Sequence, residues 1–441
     1  MDRRTFIKDT IAVAGTAALA ACTGVKKGEK AGNAPLNGEM TMRINPKDGS
    51  KVSILGYGCM RWPETEDENG NYALDQEQVN RLVDRALEAG VNYFDTAPVY
   101  SRGLSEKATG IALSRHPRES YAVATKMSNF SQYDLDSARR MYENSLKNLQ
   151  VDYIDYYLLH SLGGERDGFH SRFVDNGVLD FLLKEREAGR IRNLGFSFHG
   201  SPALMDYLLS LHEKYHWDFV QIQLNYIDYN GDAKYLYEQL EKRGIPVVIM
   251  EPLLGGRLAK VPDFVGQQLQ ERDGSRSIAS WAFRFCGTFP GVLTVLSGMT
   301  YMEHLEDNLK SYSPLQPLNA EEMAFLSDTA VKLAKYPIVP CTACNYCMPC
   351  PYGIDIPGIF AHYNRCVNEG NIAHEGDPSY RKARRCYLNS YSREILPEHQ
   401  ADKCISCGKC LPKCPQRIRI PSQILRIDRY VEDLRRGKSR D

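Results

Sequence analysis

Three runs decide the fold: Val91-Asn92-Tyr93-Phe94-Asp95, Tyr121-Ala122-Val123-Ala124-Thr125-Lys126 and Tyr153-Ile154-Asp155-Tyr156-Tyr157-Leu158-Leu159-His160. Each is short, rich in aromatic and β-branched residues, and ends on a polar group. Such runs read as buried strands. Working outward, similar runs occur at Val52–Gly56, Arg192–Phe196, Phe219–Leu224, Pro246–Met250 and Val292–Leu296. Helix-period stretches separate them. Gln78 to Leu87 places Val79, Leu82, Val83, Ala86 and Leu87 on one face and stops at Gly90, as a helix does. A short hairpin is expected ahead of the first run, from Thr41 to Ile44 and back from Val52 to Leu55, with its turn at Pro46-Lys47-Asp48-Gly49. Strands alternating with helices in this number favour a closed (β/α)8 TIM barrel over an open doubly wound sheet. No G-x-G-x-x-G follows the first strand, which argues against a Rossmann domain. Two loops, Ser161 to Asn176 and Leu253 to Ser275, are long; both leave the carboxyl ends of strands, and we expect them to cover substrate or clasp a cofactor.

In a parallel barrel, chemistry is done at the carboxyl ends of the strands. Asp95, Lys126 and His160 end three of these runs, and Tyr100 follows Asp95 closely. Carbonyl reduction needs a hydride on carbon and a proton on oxygen. A phenol can give that proton once a nearby ammonium lowers its pKa. Lys126 is the expected ammonium, Asp95 its counter-ion, Tyr100 the general acid, and His160 the group that orients the substrate oxygen. Taken singly, each has a plain structural explanation; all four at successive strand ends do not.

These residues carry a resemblance to the aldo-keto reductase family. The matching motifs are Asp95-Thr96-Ala97-Pro98-Val99-Tyr100-Ser101, Gly103 with Ser105-Glu106, Thr125-Lys126, Leu158-Leu159-His160, Gly195-Phe196-Ser197, Gln221-Ile222-Gln223-Leu224-Asn225-Tyr226, Pro252-Leu253 with Gly256, and Ser297-Gly298-Met299 to Asn308. The resemblance spans roughly residues 40 to 330. It implies NAD(P)H bound extended across the barrel mouth, with Ser197 and Gln223 on the carboxamide and Asn308 on the adenine. Asn225, Pro252, Leu253 and Gly298 complete the implied cofactor site. Two departures stand out. Met250, beside Glu251, takes the place where the family often stacks an aromatic ring. The stretch Gly298-Met299-Thr300-Tyr301-Met302-Glu303-His304 lacks the Lys and Arg that hold a 2′-phosphate, so NADH is as open as NADPH. Trp62, Phe169, Phe173 and Phe198 are candidates for an apolar substrate pocket, or for packing.

The chain holds thirteen cysteines. Cys341-x-x-Cys344-x-x-Cys347-x-x-Cys350-Pro351 and Cys404-x-x-Cys407-x-x-Cys410-x-x-x-Cys414-Pro415 are the two tight runs. The second has ferredoxin spacing and the first is one residue short. In two-cluster ferredoxins the fourth Cys serves the other cluster. We therefore pair Cys341, Cys344 and Cys347 with Cys414, and Cys404, Cys407 and Cys410 with Cys350, around two 4Fe–4S clusters. A single cluster bound mainly by the second run, zinc, and disulfides are the alternatives. Ile356 to Glu398 reads as mainly helical, giving a small helical ferredoxin-like domain that resembles the iron–sulfur tail of one aldo-keto reductase subgroup. Cys59, Cys286, Cys366 and Cys386 read as core thiols.

The chain has 441 residues, 43% hydrophobic and 25% charged, with zero formal net charge. That balance gives no reason to expect nucleic acid. A basic cluster at Arg381, Lys382, Arg384 and Arg385 reads as a solvated face, or as a dock for an acidic redox partner. Arg3-Arg4-Thr5-Phe6-Ile7-Lys8 ahead of an apolar stretch from Ile11 to Ala21 resembles a twin-arginine export signal. Leu19-Ala20-Ala21-Cys22 looks like a lipoprotein box with Cys22 as a lipid anchor. The expected organisation is thus a signal over 1–22, a flexible tether over 23–39, the barrel over 40–335 and the iron–sulfur domain over 336–441. The expected location is the periplasm or a membrane-anchored lipoprotein. The expected activity is interconversion of a carbonyl and an alcohol. The alternative is a redox sensor or electron carrier that uses the barrel only for docking.

Overall fold

The computed structural model describes residues 38–130, 134–374 and 376–437. The export signal, Cys22 and nearly all of the tether lie outside the described residues. In chain order the strands are β1 (Met42–Ile44), β2 (Lys51–Ser53), β3 (Leu55–Gly58), β4 (Glu64–Glu66), β5 (Tyr72–Leu74), β6 (Tyr93–Asp95), β7 (Ala122–Met127), β8 (Ile154–Leu162), β9 (Ile191–Phe198), β10 (Phe219–Gln223), β11 (Val247–Met250) and β12 (Val292–Ser297). β3 and β6 to β12 close into a parallel eight-stranded barrel, β12 pairing back onto β3.

The expected single run from Val52 to Gly56 is two strands. Its first half pairs antiparallel with β1, Arg43 facing Val52. Its second half enters the barrel one residue later, as β3. The break has a physical cause: the Ile54 N–H donates to the Thr41 carbonyl and the Ser53 hydroxyl to the Leu55 carbonyl. The hairpin therefore lies under the barrel. Asn45 in its turn donates to Tyr156 Oη at 3.1 Å. Above it Tyr93, Tyr156 and Phe219 pack inside the barrel, with ring centroids 4.9 and 5.1 Å apart. Burying each such ring stabilises by about 1.5–3 kcal/mol. The lower barrel is thus filled, and a cavity opens at the carboxyl ends of the strands.

Helices wrap the outside. Gln76–Glu88 starts at Asp75, whose carboxylate accepts from the Gln78 N–H, and ends before Gly90 at φ 88°. The two long loops contain helices that periodicity did not reveal. Arg166–Phe169 runs into a wide turn over His170–Val174, and Asp263–Arg272 interrupts the other loop. The hairpin β4–β5 is also new, its turn built on the Asp67 carboxylate, which accepts from the Asn69 and Asn71 N–H groups. Trp62, Phe169, Phe173 and Phe198 are all buried in the layer between strands and helices. They pack; they do not line the site.

A second hydrophobic core, from Val339 to Leu434, belongs to the C-terminal domain. It sits between helices Ile356–Asn368, Tyr380–Glu394 and Ile420–Arg435. The mainly helical expectation for Ile356 to Glu398 matches the first two. No described helix is long and apolar enough to cross a membrane.

Candidate active site and cluster sites

Asp95 ends β6, Lys126 lies in β7 and His160 in β8, so neighbouring strands present them side by side. Lys126 Nζ donates to Asp95 Oδ1 at 2.6 Å and to the Thr96 carbonyl at 2.7 Å. Tyr100 follows β6 in a tight turn. Ser101 and Arg102, at φ 48° and 54°, bend the chain back, and the Ser101 hydroxyl donates to the Met60 carbonyl. The turn sets the Tyr100 ring 4.8 Å from Lys126 Nζ and edge-on to His160 at 5.8 Å. All four residues line one cavity of roughly 770 Å³ at the barrel mouth.

Burial dominates the electrostatics. It pulls Lys126 down and pushes Asp95 up, while the contact between them opposes both shifts. Asp95 Oδ2 has no partner. Burial also raises Tyr100 well above its ordinary pKa, with Tyr346 and Asp95 adding to the effect. The expected lowering of the phenol by Lys126 is therefore outweighed by the burial of the phenol. His160 is held well below its ordinary value by burial and by Lys126 and Arg172, and so is neutral at neutral pH. Its Nδ1 is 2.6 Å from Ser128 Oγ, whereas Ser128 Oγ is 3.5 Å from the Lys126 carbonyl. Ser128 thus holds Nδ1, and Nε2 is the ring nitrogen that faces the cavity.

The implied cofactor residues divide. Ser197, Pro252, Leu253, Gly298 and Asn308 line the cavity. Ser197 Oγ accepts from the Ser161 N–H at 2.7 Å, which frees its own proton for a ligand. Asn308 Nδ2 donates to Ser297 Oγ at 2.8 Å. Gln223 does not line the cavity. It donates to Asp228 and exchanges hydrogen bonds with Gln416 of the C-terminal domain, at 3.1 and 2.8 Å. Gln221 lines it instead, buried, with Oε1 lacking any partner. Asn225 braces a turn, donating to Asp228 and to the Glu251 carbonyl. An orphaned amide oxygen beside a free hydroxyl suits a carboxamide. Met250 and Glu251 line the cavity where the aromatic ring was missed, and Thr300, Glu303, His304 and Asp307 line it around Asn308.

Three contributors escaped the sequence reading. Ser128 holds the His160 ring through Nδ1. Arg172, half-buried, braces the end of β8 by donating to the carbonyls of His160, Ser161 and Asn129. Tyr346, from the C-terminal domain, reaches His160. Only Ser128, two residues past Lys126, carried any sequence signal.

The cysteines group crosswise. Cys341, Cys344 and Cys347 each lie close enough to Cys414 to feel its charge, and Cys410 feels Cys404, Cys407 and Cys350. Among the described residues no set of His, Cys, Asp or Glu is tight enough for a single ion; a cubane spreads its four thiolates wider than one ion does. No disulfide forms: all described cysteines are free. Burial pushes the Cys344 thiol up to about 11 and Cys347 up to about 12, so ligation displaces protons. Cys59, Cys286 and Cys366 are buried as core thiols, and Cys386 is partly exposed.

Residues 54–329 match the Aldo/keto reductase family. The chain belongs to that family. Residues 340–418 of this aldo-keto reductase match a 4Fe-4S dicluster domain. Its relatives include L-galactose dehydrogenase of Arabidopsis thaliana, 24% identical over 64% of this chain and 92% of the relative. An aldo-keto reductase of Mycolicibacterium smegmatis is 33% identical over 36% of this chain and half of its own length. Among solved structures, an aldo-keto reductase from Bacillus halodurans in its holo form superposes with TM-score 0.53 at 24% identity, covering 66% of this chain and 96% of its own. A thermostable aldo-keto reductase bound to the inhibitor epalrestat gives 0.54 at 24%, covering 66% and 99%. The enzyme is an oxidoreductase with a closed parallel barrel and a C-terminal iron–sulfur domain. Its family implies NAD(P)H as cofactor.

Proposed function

We propose that this aldo-keto reductase interconverts a small-molecule carbonyl and its alcohol, with Tyr100 as general acid and NADH as the preferred cofactor. The observation that carries the reading is the convergence of Tyr100, Lys126, Asp95 and His160 on one cavity, with Lys126 Nζ fixed at 2.6 Å from Asp95. A nicotinamide supplies the hydride. Ser197 and Gln221 hold its carboxamide, Gln221 taking the role first assigned to Gln223. Pro252, Leu253 and Gly298 would flank the cofactor, and Asn308 would meet the adenine. His160 Nε2–H orients the carbonyl oxygen, and Tyr100 gives it a proton. The Lys126 charge, neutralised in the resting site by Asp95, stabilises the phenolate left behind.

NADH is favoured because Glu303 and Asp307 line the cavity beside Asn308, where a 2′-phosphate would meet carboxylates. The grouped thiols support two clusters, Cys341, Cys344, Cys347 and Cys414 holding one and Cys404, Cys407, Cys410 and Cys350 the other. Their first task is to fix the segment around Thr342 against the barrel mouth. Exchange of electrons with a partner is a second reading, favoured by the exposure of Cys407 and of Ile405 and Leu411 beside it. Export through the Arg3-Arg4 signal, with Cys22 as anchor, completes the reading from sequence alone; cell fractionation tests it.

Anaerobically purified enzyme, with clusters intact, should oxidise NADH on addition of members of an aldehyde and ketone panel. The kcat/KM with NADPH should be lower by about tenfold or more, since losing charge-assisted partners costs more than ~1.4 kcal/mol. No NADH oxidation with any panel member overturns the carbonyl reading. Equal use of the two cofactors overturns the cofactor assignment.

A further inference from the structure

We propose that Tyr346, carried by the C-terminal domain, is a specificity-determining residue of the barrel site, its phenol standing where a substrate's carbonyl oxygen has to bind. Tyr346 Oη lies 3.4 Å from His160 Nε2, the nitrogen that faces the cavity. The Tyr346 hydroxyl also interacts with that of Tyr100. A carbonyl oxygen protonated by Tyr100 and oriented by His160 needs that same position. One oxygen fits there, so substrate enters only as Tyr346 leaves.

The placement is built, not incidental. Tyr346 lies between Cys344 and Cys347 on a loop that crosses the barrel mouth. Ala343 and Asn345, at φ 52° and 64°, turn the chain so that Tyr346 projects into the cavity. Its ring packs 6.0 Å from Phe130 and 6.3 Å from His160. The loop is pinned from the barrel side. Arg61 Nη2 donates to the Thr342 carbonyl at 2.6 Å. Gly255 passes so close that a Cβ there would stand 2.4 Å from that carbonyl oxygen. Arg417 donates to the His199 carbonyl at 2.8 Å on another side of the mouth. With the loop held at both its barrel contacts and its cysteines, only the Tyr346 side chain is left to yield. The space it vacates sets the size of carbonyl accepted. The second domain thereby decides what the barrel reduces.

The inference rests on the carbonyl reading above, and its test separates the two. Full-length enzyme with intact clusters, saturated with NAD+, is titrated calorimetrically with phenylacetate, whose carboxylate oxygen stands in for the carbonyl oxygen. Tyr346→Ala should bind phenylacetate about tenfold more tightly than wild type, the scale of two modest hydrogen bonds no longer displaced. Tyr346→Phe, which keeps the ring and loses the hydroxyl, should fall between. The visible iron–sulfur absorbance of each variant reports that the loop is intact. In turnover, Tyr346→Ala should lower KM for 4-phenylbenzaldehyde more than for benzaldehyde. Equal phenylacetate affinity in all three proteins, or no binding to any, overturns the proposal, as does an equal change in KM for both aldehydes. Graded phenylacetate affinities in an enzyme that turns over neither aldehyde support the Tyr346 assignment and refute the carbonyl reading.

Discussion

The barrel gathers Asp95, Lys126 and His160 from adjacent strands whose order the hydrogen-bond ladder fixes, with Tyr100 in the turn after the first of them, whereas the C-terminal domain gathers its thiols from two irregular loops held apart by the helices Ile356–Asn368 and Tyr380–Glu394. In the barrel, the filled interior below the site and the hairpin under it hold the geometry. In the smaller domain the core around Phe360, Tyr387 and Ile427 is modest, and the cysteine loops depend on what they ligate. The lesson is that one chain uses two kinds of rigidity: backbone order for the reacting groups, and cluster ligation for the segment that confronts them.

The sharpest way to break this contrast is at the buried ion pair. Asp95→Asn leaves the Lys126 ammonium buried without its counter-charge. Removing one partner of a buried pair costs about 3–5 kcal/mol, so the barrel's denaturation midpoint should fall while the iron–sulfur absorbance of the folded protein is unchanged. An unchanged midpoint would mean that the pair is not held charged.

A smaller effect separates the two regions by pH. Burial holds His160 well below its ordinary pKa, and lowers His199 in the barrel and His362 in the C-terminal domain to about 4. For these groups the unfolded chain binds protons that the fold refuses. Their contribution to stability is therefore present above about pH 6.5 and is lost as pH falls toward the folded value. Burial-raised Asp95, Glu106 and Glu251 act in the opposite sense. His199→Gln should flatten the acid limb of Tm against pH by removing one of the three histidines. NMR titration of the ring protons should show His199 and His362 changing charge near 4; a titration of His199 near 6.5 would contradict its burial.

Much of this architecture was legible from the chain. Short runs rich in aromatic and β-branched residues marked the barrel strands, because parallel strands buried on both faces must be apolar. Polar residues closing those runs marked the tetrad. The two tight cysteine runs marked the iron–sulfur domain, and their likeness to two-cluster ferredoxins suggested the crosswise grouping. Other features were not legible, for definite reasons. Val52 to Gly56 is continuous in composition, and only the Ile54 N–H donating to the Thr41 carbonyl divides it. Gln221 and Gln223 share a strand face, so alternation could not choose between them; depth in the barrel did. The helix Asp263–Arg272 carries few apolar positions and so little periodicity. Tyr346 sits among cysteine ligands, and nothing in its neighbourhood points to a histidine far earlier in the sequence.

In the proposed reaction Tyr100 protonates the substrate oxygen beside the Lys126–Asp95 pair. Single-turnover stopped-flow, mixing enzyme preloaded with NADH against an accepted aldehyde, follows nicotinamide oxidation directly. Tyr100→Phe should slow that step by about 10²–10⁴-fold with NADH affinity preserved. An oxidation rate in Tyr100→Phe within about twofold of wild type, where proton donation is worth far more, would contradict the account.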